Sequence, residues 1–281
     1  MKFATYRRTD GSVHAGVIQN DQVFDITPAG YATVQAVIES GRAHSIDISA
    51  LKGEFLSGVQ LLAPLPKPSR IFGIGLNYQE HATESQMTVQ AVPTVFLKLS
   101  SSVTGPDTDI ILPQNSEQPD YEAELGVVIN KPGYRIPATE WGEHVFGYTI
   151  INDISARDIQ LATSQWNLAK SFPTFAPLGP WIVTKDEIAD PHALGISLTI
   201  DGETLQDSNT KHLIFKVPQL IEYISSLTPL EAGDVISTGT PAGVGMGRSP
   251  QRWLKAGEEI AITIECIGVL RNRTKAEGAN A

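Results

Sequence analysis

Two glutamates, Glu122 and Glu124, stand two residues apart in PDYEAELGVV, which runs from Pro119 to Val128. The stretch otherwise reads as a buried strand. Side chains alternate across a strand, so both carboxylates point to one face while Tyr121, Ala123, Leu125, Val127 and Ile129 take the other. Neighbouring anions repel, and buried charge is costly unless compensated, so something positive belongs beside them. A third carboxylate, Asp153, ends the apolar run of YTIINDISARDIQ (148–160). Three carboxylates and no cysteine describe a hard oxygen site, which suits Mg²⁺, Mn²⁺ or Ca²⁺ rather than zinc. Such an ion keeps open positions and can also chelate a substrate. A solvated strand face laced with salt bridges would carry the same residues.

Two further groups have chemical types that matter. In NYQEHATES (77–85), His81 and Glu84 are three apart and become neighbours on a helical turn. A carboxylate beside an imidazole orients it and raises its basicity, as activation of water requires. An exposed helix face would show the same pair. In AKSFPTFAPLGP (169–180), Lys170 sits among aromatic residues and prolines, where it can contact an anionic substrate or snorkel to the surface. Other motifs fail. GIGLNY (73–78) lacks the third glycine of a dinucleotide fingerprint. GTPAGVGMG (239–247) is not followed by the Gly-Lys-Ser/Thr of a phosphate loop. There is no Gly-x-Ser-x-Gly and no His-Glu-x-x-His.

These residues need a scaffold, and the runs around them are strand-like. RIFGIGLN, PTVFLKL, AELGVVI, VFGYTIIND, GPWIVT, GISLTI, DVISTG and EIAITIECIGVL are short, rich in β-branched or aromatic residues, and bounded by Gly, Pro or Asp. Asp201-Gly202 reads as a hairpin turn. Gly233 and Gly257 each end a similar turn that feeds a strand. VPQLIEYISSL is a helix with Leu220, Ile221, Ile224 and Leu227 along one stripe. Strands do not alternate regularly with helices, so the fold class is mainly β with α (α+β) rather than a doubly wound parallel sheet. Residues 1–65 read as a small β-rich unit. VHAGVIQNDQVFDI folds back at Asn20-Asp21, and TVQAVIESG forms a helix stopped by Gly41. Prolines 64, 66 and 68 mark a connector, and residues 66–281 carry the chemistry.

The bulk numbers narrow the function class. The 281 residues are 41% hydrophobic and 19% charged, enough to fill a core. The formal net charge of −10 argues against a nucleic-acid binder. The single cysteine, Cys266, excludes an internal disulfide or a Cys-x-x-Cys site. No signal-like leader or stretch of about 18 apolar residues is present, so a cytoplasmic protein without membrane contact is expected.

The motifs taken in order resemble the fumarylacetoacetate hydrolase family. The matching pieces are IFGIGLNYQEHATE, PTVFLK, DYEAELGVVI, GYTIINDISARDIQ, AKSFPTFAPLGPWIV, STGTPAGVGMGR and IGVLRNR, from about Ile71 to Arg273. The resemblance is to short prokaryotic-type members with a small N-terminal domain. It implies a mixed β-sandwich roll, a homodimer and a Mg²⁺ or Mn²⁺ ion on Glu122, Glu124 and Asp153. It implies a His81–Glu84 dyad on a lid and an active-site Lys170. Arg157, Gln160 and Thr240 match substrate-binding positions. One departure is Pro173, where the family pattern has Asp after Lys-Ser-Phe.

The chemistry so implied is cleavage of a carbon–carbon bond in an acylpyruvate or other 2,4-diketo acid. The ion holds the 2-oxo acid end and favours an enolate leaving group. His81, oriented by Glu84, activates the attacking water. Decarboxylation of oxaloacetate and isomerisation of 2-hydroxyhepta-2,4-diene-1,7-dioate share that enolate and stand as alternatives. A non-catalytic metal-binding protein is the distant one.

Overall fold

The computed structural model describes residues 1–85 and 87–278. The chain begins with β1 (Lys2–Arg7), β2 (Val13–Gln19) and β3 (Gln22–Asp25), paired antiparallel in sequence order. Asn20 and Asp21 join β2 to β3 with φ of 51° and 59°, so both turn residues are left-handed. A two-residue turn of that kind matches the twist of the flanking strands. Helix α1 (Val34–Ser40) starts where the Thr33 hydroxyl accepts from Ala36 N at 3.1 Å and stops at left-handed Gly41. Its buried residues are Val34, Val37 and Ile38. Two short strands, β4 (Gly53–Phe55) and β5 (Gln60–Leu62), pair with β3 and β1.

After the prolines come β6 (Ile71–Gly75), α2 (Gln79–Glu84), β7 (Thr94–Lys98), β8 (Val103–Thr104), β9 (Asp109–Leu112) and β10 (Pro119–Asp120). Next are β11 (Ala123–Ile129), α3 (Trp141–His144), β12 (Val145–Asn152), β13 (Ser155–Ala156), α4 (Arg157–Ala162) and β14 (Ala176–Thr184). The chain ends through β15 (Gly195–Ile200), β16 (Glu203–Asn209), α5 (Val217–Leu227), β17 (Val235–Ser237), β18 (Glu259–Ile264) and β19 (Gly268–Ala276). The large sheet has the order β4-β3-β2-β1-β14-β12-β11-β17-β6-β7, and a second sheet runs β16-β15-β18-β19-β9. Most pairs are antiparallel. β17 with β6, β14 with β8 and β19 with β9 are parallel. The class is α+β.

The centre of the large sheet is covered on both faces, so β11 and β12 are buried along their whole length and mostly apolar, with Glu124 the one charged residue in either strand. Leu125, Val127 and Ile150 pack toward Ile196, Leu198 and Ile262 of the second sheet. Val128 and Ile151 face the other way, into a core shared with Phe3, Val17, Val37 and Ile38 of the N-terminal segment. β1 pairs with β14 through Lys2↔Val183 and Phe3↔Ile182, so the strands of the N-terminal segment continue the central sheet.

Two local expectations need correction. Leu227 is 68% exposed, because the last turn of α5 runs past the core that covers Leu220, Ile221 and Ile224. EIAITIECIGVL is two strands rather than one, since Cys266 turns left-handed at φ 63° and β19 folds back on β18. The turns at Asp201-Gly202, Gly233 and Gly257 all have positive φ, and each leads into a strand as expected. Pro173 occupies a tight turn closed by Phe175 N donating to Phe172 O at 3.0 Å, with Thr174 at φ 69°. Proline followed by a left-handed residue suits such a turn. Among the described residues no helix is long and apolar enough to cross a membrane.

Candidate metal centre and active site

β11 is entered through Glu122, and the strand alternation puts Glu122 and Glu124 side by side as expected. Asp153 follows β12, the antiparallel neighbour, and its N–H donates to Glu122 O at 2.9 Å. One oxygen from each of the three carboxylates lies within 4.8 Å of the other two. All three residues are buried. Glu122 N also donates to Asn152 Oδ1 at 3.1 Å, tying the two strand ends together.

Cations surround this cluster. Lys170 Nζ donates to Glu122 Oε2 and Asp153 Oδ2, both at 2.7 Å. Arg157, the first residue of α4, donates from Nη2 to Glu122 Oε1 at 2.6 Å, from Nε to Asp120 Oδ2 at 2.9 Å and from Nη1 to Gln160 Oε1 at 2.9 Å. Lys98 at the end of β7 donates to Asp153 Oδ1 at 2.5 Å, to Ile154 O at 3.2 Å and to Lys170 O. Burial alone would push Glu122 up, but Lys170 and Arg157 outweigh it and hold the carboxyl well below its usual range. Burial depresses Lys98 despite Asp153, whereas Asp153 and Glu122 overcome burial at Lys170 and raise it.

Glu124 is the exception. Its Oε2 accepts from the Ser237 hydroxyl at 2.6 Å and from Gly239 N at 2.9 Å, both neutral donors. Burial first, then Asp153 and Glu122, drive its pKa well above the ordinary carboxylate value. The cluster therefore holds four buried carboxylates (Asp120, Glu122, Glu124, Asp153) against three buried cations (Lys98, Arg157, Lys170). Electrostatics ask for more positive charge beside Glu124. The three converging carboxylates offer oxygen ligands only, and each carboxylate retains at least one lone pair beyond its present partners, Glu124 on the oxygen that Ser237 and Gly239 leave free. These residues fit a hard divalent cation such as Mg²⁺ or Mn²⁺.

The dyad faces the same space. α2 brings His81 Nδ1 within 3.0 Å of Glu84 Oε1. A carboxylate only accepts, so the proton is assigned to Nδ1 and the Nε2 lone pair is left free. Glu84 is pinned in turn by Gly243 N, 3.1 and 3.0 Å from its two oxygens. α2 itself hangs from Asn77, whose amide donates to Thr238 O and Phe215 O and accepts from Phe215 N. Gly239, at φ 98°, passes so close that a Cβ there would lie 2.7 Å from that of Asn77.

A narrow cleft joins these groups, lined by His81, Glu122, Glu124, Arg157, Gln160, Lys170 and Thr240 on its polar side. Ile74, Met87, Phe96, Trp166 and Met246 form the apolar wall. Asp153 and Glu84 stand behind this surface. Hydrogen-bond inventory separates the two lysines. All three N–H of Lys98 have acceptors, so it serves the scaffold. Lys170 has one N–H beyond Glu122 and Asp153, and Gln160 keeps its whole amide nitrogen. Thr240 lines the cavity, but its hydroxyl donates to Ala123 O at 3.0 Å and accepts from Gln206 Nε2 at 2.8 Å. Sequence reasoning missed Lys98, Asp120, Gln206 and Ser237. Lys98 carries a signal of the kind that marked Glu122, a charge set inside the apolar run TVFLKL; Asp120, in EQPDYE, has no such setting.

A rat protein named oxaloacetate tautomerase Fahd2a, mitochondrial, is 47% identical over 218 residues, spanning 77% of this chain and 70% of that protein. The solved fumarylacetoacetate hydrolase from psychrophilic Exiguobacterium antarcticum superposes with a TM-score of 0.90 at 36% identity, covering 99% of this chain and 100% of that one. Maleylpyruvate hydrolase from Sphingobium sp. SYK-6, solved with manganese(II) and pyruvate, superposes with a TM-score of 0.84 at 28% identity, covering 98% and 99%. Residues 70–275 match the family described as fumarylacetoacetate (FAA) hydrolase C-terminal, and with this breadth of likeness in sequence and fold the chain belongs to the fumarylacetoacetate hydrolase family.

Proposed function

We propose that the chain is an enzyme that binds a small 2-oxo acid against Glu122, Glu124 and Asp153 and moves a proton at the carbon next to the keto group. The observation that carries this reading is the shared cavity, which His81 lines together with Glu122 and Glu124 while its Nδ1 is committed to Glu84. Glu122, Glu124 and Asp153 would hold a divalent cation, which would supply electron withdrawal from a bound 2-oxo acid. The spare N–H of Lys170 and the amide of Gln160 hold substrate oxygens where negative charge grows. Arg157 keeps Glu122 and Gln160 in place. The apolar wall formed by buried Phe96 and half-buried Trp166 and Met246 limits the access of bulk water, which strengthens these interactions.

The first candidate reaction is interconversion of the enol and keto forms of oxaloacetate. The name of the rat relative at 47% identity supports it. His81 Nε2 takes the proton from one position of the enol–keto pair and returns it at the other, with no net change in composition. The second is hydrolysis of an acylpyruvate, supported by the fold of maleylpyruvate hydrolase. There His81 takes a proton from water, the hydroxide adds to the distal carbonyl, and the carbon–carbon bond breaks toward the 2-oxo acid. The free carboxylic acid and the enol of a 2-oxo acid are released. Decarboxylation of oxaloacetate and isomerisation of diene-dioates need the same electron withdrawal without an attacking water.

One experiment separates these. Enol-oxaloacetate, oxaloacetate, acylpyruvates, fumarylpyruvate and 2-hydroxyhepta-2,4-diene-1,7-dioate are offered with Mg²⁺, Mn²⁺ or a chelator. Loss of the enol absorbance without carbon dioxide release identifies the tautomerase, and release of pyruvate with a second acid identifies the hydrolase. Turnover of none of them, or full turnover in chelator, ends the proposal. The proposed assembly is a homodimer in the cytoplasm. Leu97 and Leu99 are exposed at β7, the edge strand of the large sheet, and Leu168 is exposed on the segment whose Asn167 and Ser171 bond to that edge. An uncovered apolar edge is a liability that a second copy removes. Sedimentation equilibrium at the mass of one chain refutes the dimer.

A further inference from the structure

We infer that Asp120 is a positioning residue that joins the carboxylate cluster to the His81–Glu84 dyad. Asp120 is fully buried and does not line the cavity. Its Oδ1 accepts from Tyr121 N at 2.9 Å and Gly245 N at 2.7 Å. Its Oδ2 accepts from Met246 N at 3.0 Å and Arg157 Nε at 2.9 Å. Both oxygens thus take two N–H donors, from the site arginine on one side and the glycine loop on the other.

That loop is pressed against both of its neighbours. A Cβ on Gly245 would lie 2.7 Å from Asp120 Oδ1 and 1.8 Å from Arg252 O. A Cβ on Gly247 would lie 2.6 Å from Glu84 Cδ. Gly243, two residues before the Asp120 contact, is the donor that pins both oxygens of Glu84. A continuous path therefore runs from Glu122 to Arg157, Asp120, the 243–247 backbone, Glu84 and His81. α2 is six residues long and cannot hold the imidazole still by its own hydrogen bonds. The loop supplies the fixed surface, and Asp120 fixes the loop. This explains a buried carboxylate that neither contacts the cavity nor belongs to the triad. It rests on the proposed reading of His81 as the proton carrier.

Asp120→Asn keeps the shape and tests the bonding. Whichever way the amide is turned, its NH₂ meets two N–H groups. The expected result, with Mn²⁺ bound, is a kcat lower by about 10²-fold with KM nearly unchanged, as for a misplaced catalytic group. In a Glu84→Ala background the same change should cost less than about 3-fold, because the path is already cut. Losses that multiply, or Mn²⁺ affinity falling in step with kcat, would overturn the inference and place Asp120 with the triad alone. Amide hydrogen exchange needs neither activity nor the Asp120 variant. Glu84→Ala should speed exchange in 243–247 as well as in 79–85, and acceleration confined to 79–85 overturns the coupling. If the parent turns over no substrate, the reaction assignment fails while the exchange result still decides the coupling.

Discussion

Two clusters of charge in this molecule use similar residues and do different work. One lies in the N-terminal segment, where Arg8 meets Asp25 at 3.1 Å and Glu54 at 2.5 Å, and His14 meets Asp25 at 3.0 Å. The other is the site around Glu122, Glu124 and Asp153. In the first, both carboxylates have a guanidinium, and the side chains keep 15–31% of their exposure. In the second, burial is nearly complete and Glu124 has no cationic partner. A half-solvated cluster whose carboxylates each meet a guanidinium leaves no charge unpaired and stitches strands together. A buried cluster with unbalanced charge and spare donors can receive a ligand. What separates a site from a clasp is the buried charge left unpaired, since both contain acids and bases.

The sharpest way to break this comparison is to remove the unbalanced acid. Glu124→Ala, or a chelator in the parent, should reduce turnover to background. Added Mn²⁺ should restore the chelated parent and not the variant. Circular dichroism should stay unchanged, since removing one of several crowded anions leaves the core packed.

The next effect belongs to the dyad. His81→Ala should lower the rate by about 10²–10⁴-fold, the usual contribution of a general acid–base. Parallel assays of any decarboxylase activity should show a smaller loss, because that reaction needs mainly electron withdrawal. Equal losses would mean that the imidazole closes the cavity instead of carrying a proton.

A third test uses protons, because the two clusters hold carboxyls shifted in opposite directions, Glu124 up and Asp25 down. Glu124 is raised in the folded protein, so the metal-free site carries a proton there until pH climbs through the raised pKa. Metal binding must expel that proton, and affinity should rise by up to about tenfold per pH unit across that window. Calorimetry in buffers of different ionisation enthalpy reads the proton directly, and a flat profile contradicts the assignment. Asp25 is lowered in the folded protein. Burial opposes this, but Thr27, His14 and Arg8 outweigh it. Its stabilisation is therefore complete above the unfolded value of about 3.9 and is lost as pH falls through the folded one.

The smallest effect is Arg8→Met. Breaking a partly exposed pair of this kind costs about 1 kcal/mol. Denaturation midpoints should differ between parent and variant at pH 7 and converge in acid, while turnover changes less than about twofold. A large loss of turnover would show that the N-terminal cluster reaches the site after all.

Much of this arrangement follows from the chain read alone, because its cause is local. The alternation of a strand places Glu122 beside Glu124, and the pitch of a helix places His81 beside Glu84. Asn20-Asp21, Gly41 and Asp201-Gly202 reverse or stop the chain because those residues tolerate left-handed backbone at little cost. Other features depend on partners far away in sequence, and no local pattern encodes them. Lys98 is a scaffold lysine because Asp153, Ile154 and Lys170 surround it across 55 to 72 residues. Asp120 becomes a junction only when residues 245 and 246 fold onto it, 125 and 126 positions later. Thr240 commits its hydroxyl proton to Ala123 O, and Leu227 falls beyond the edge of the core. β1 joins β14 through Lys2↔Val183 and Phe3↔Ile182, so a segment that reads as separate shares a sheet and a core with the rest. Residue type and short spacing determine which groups can do chemistry. Long-range packing decides which of them keep an unspent hydrogen bond or charge, because that depends on which distant atoms arrive to satisfy it.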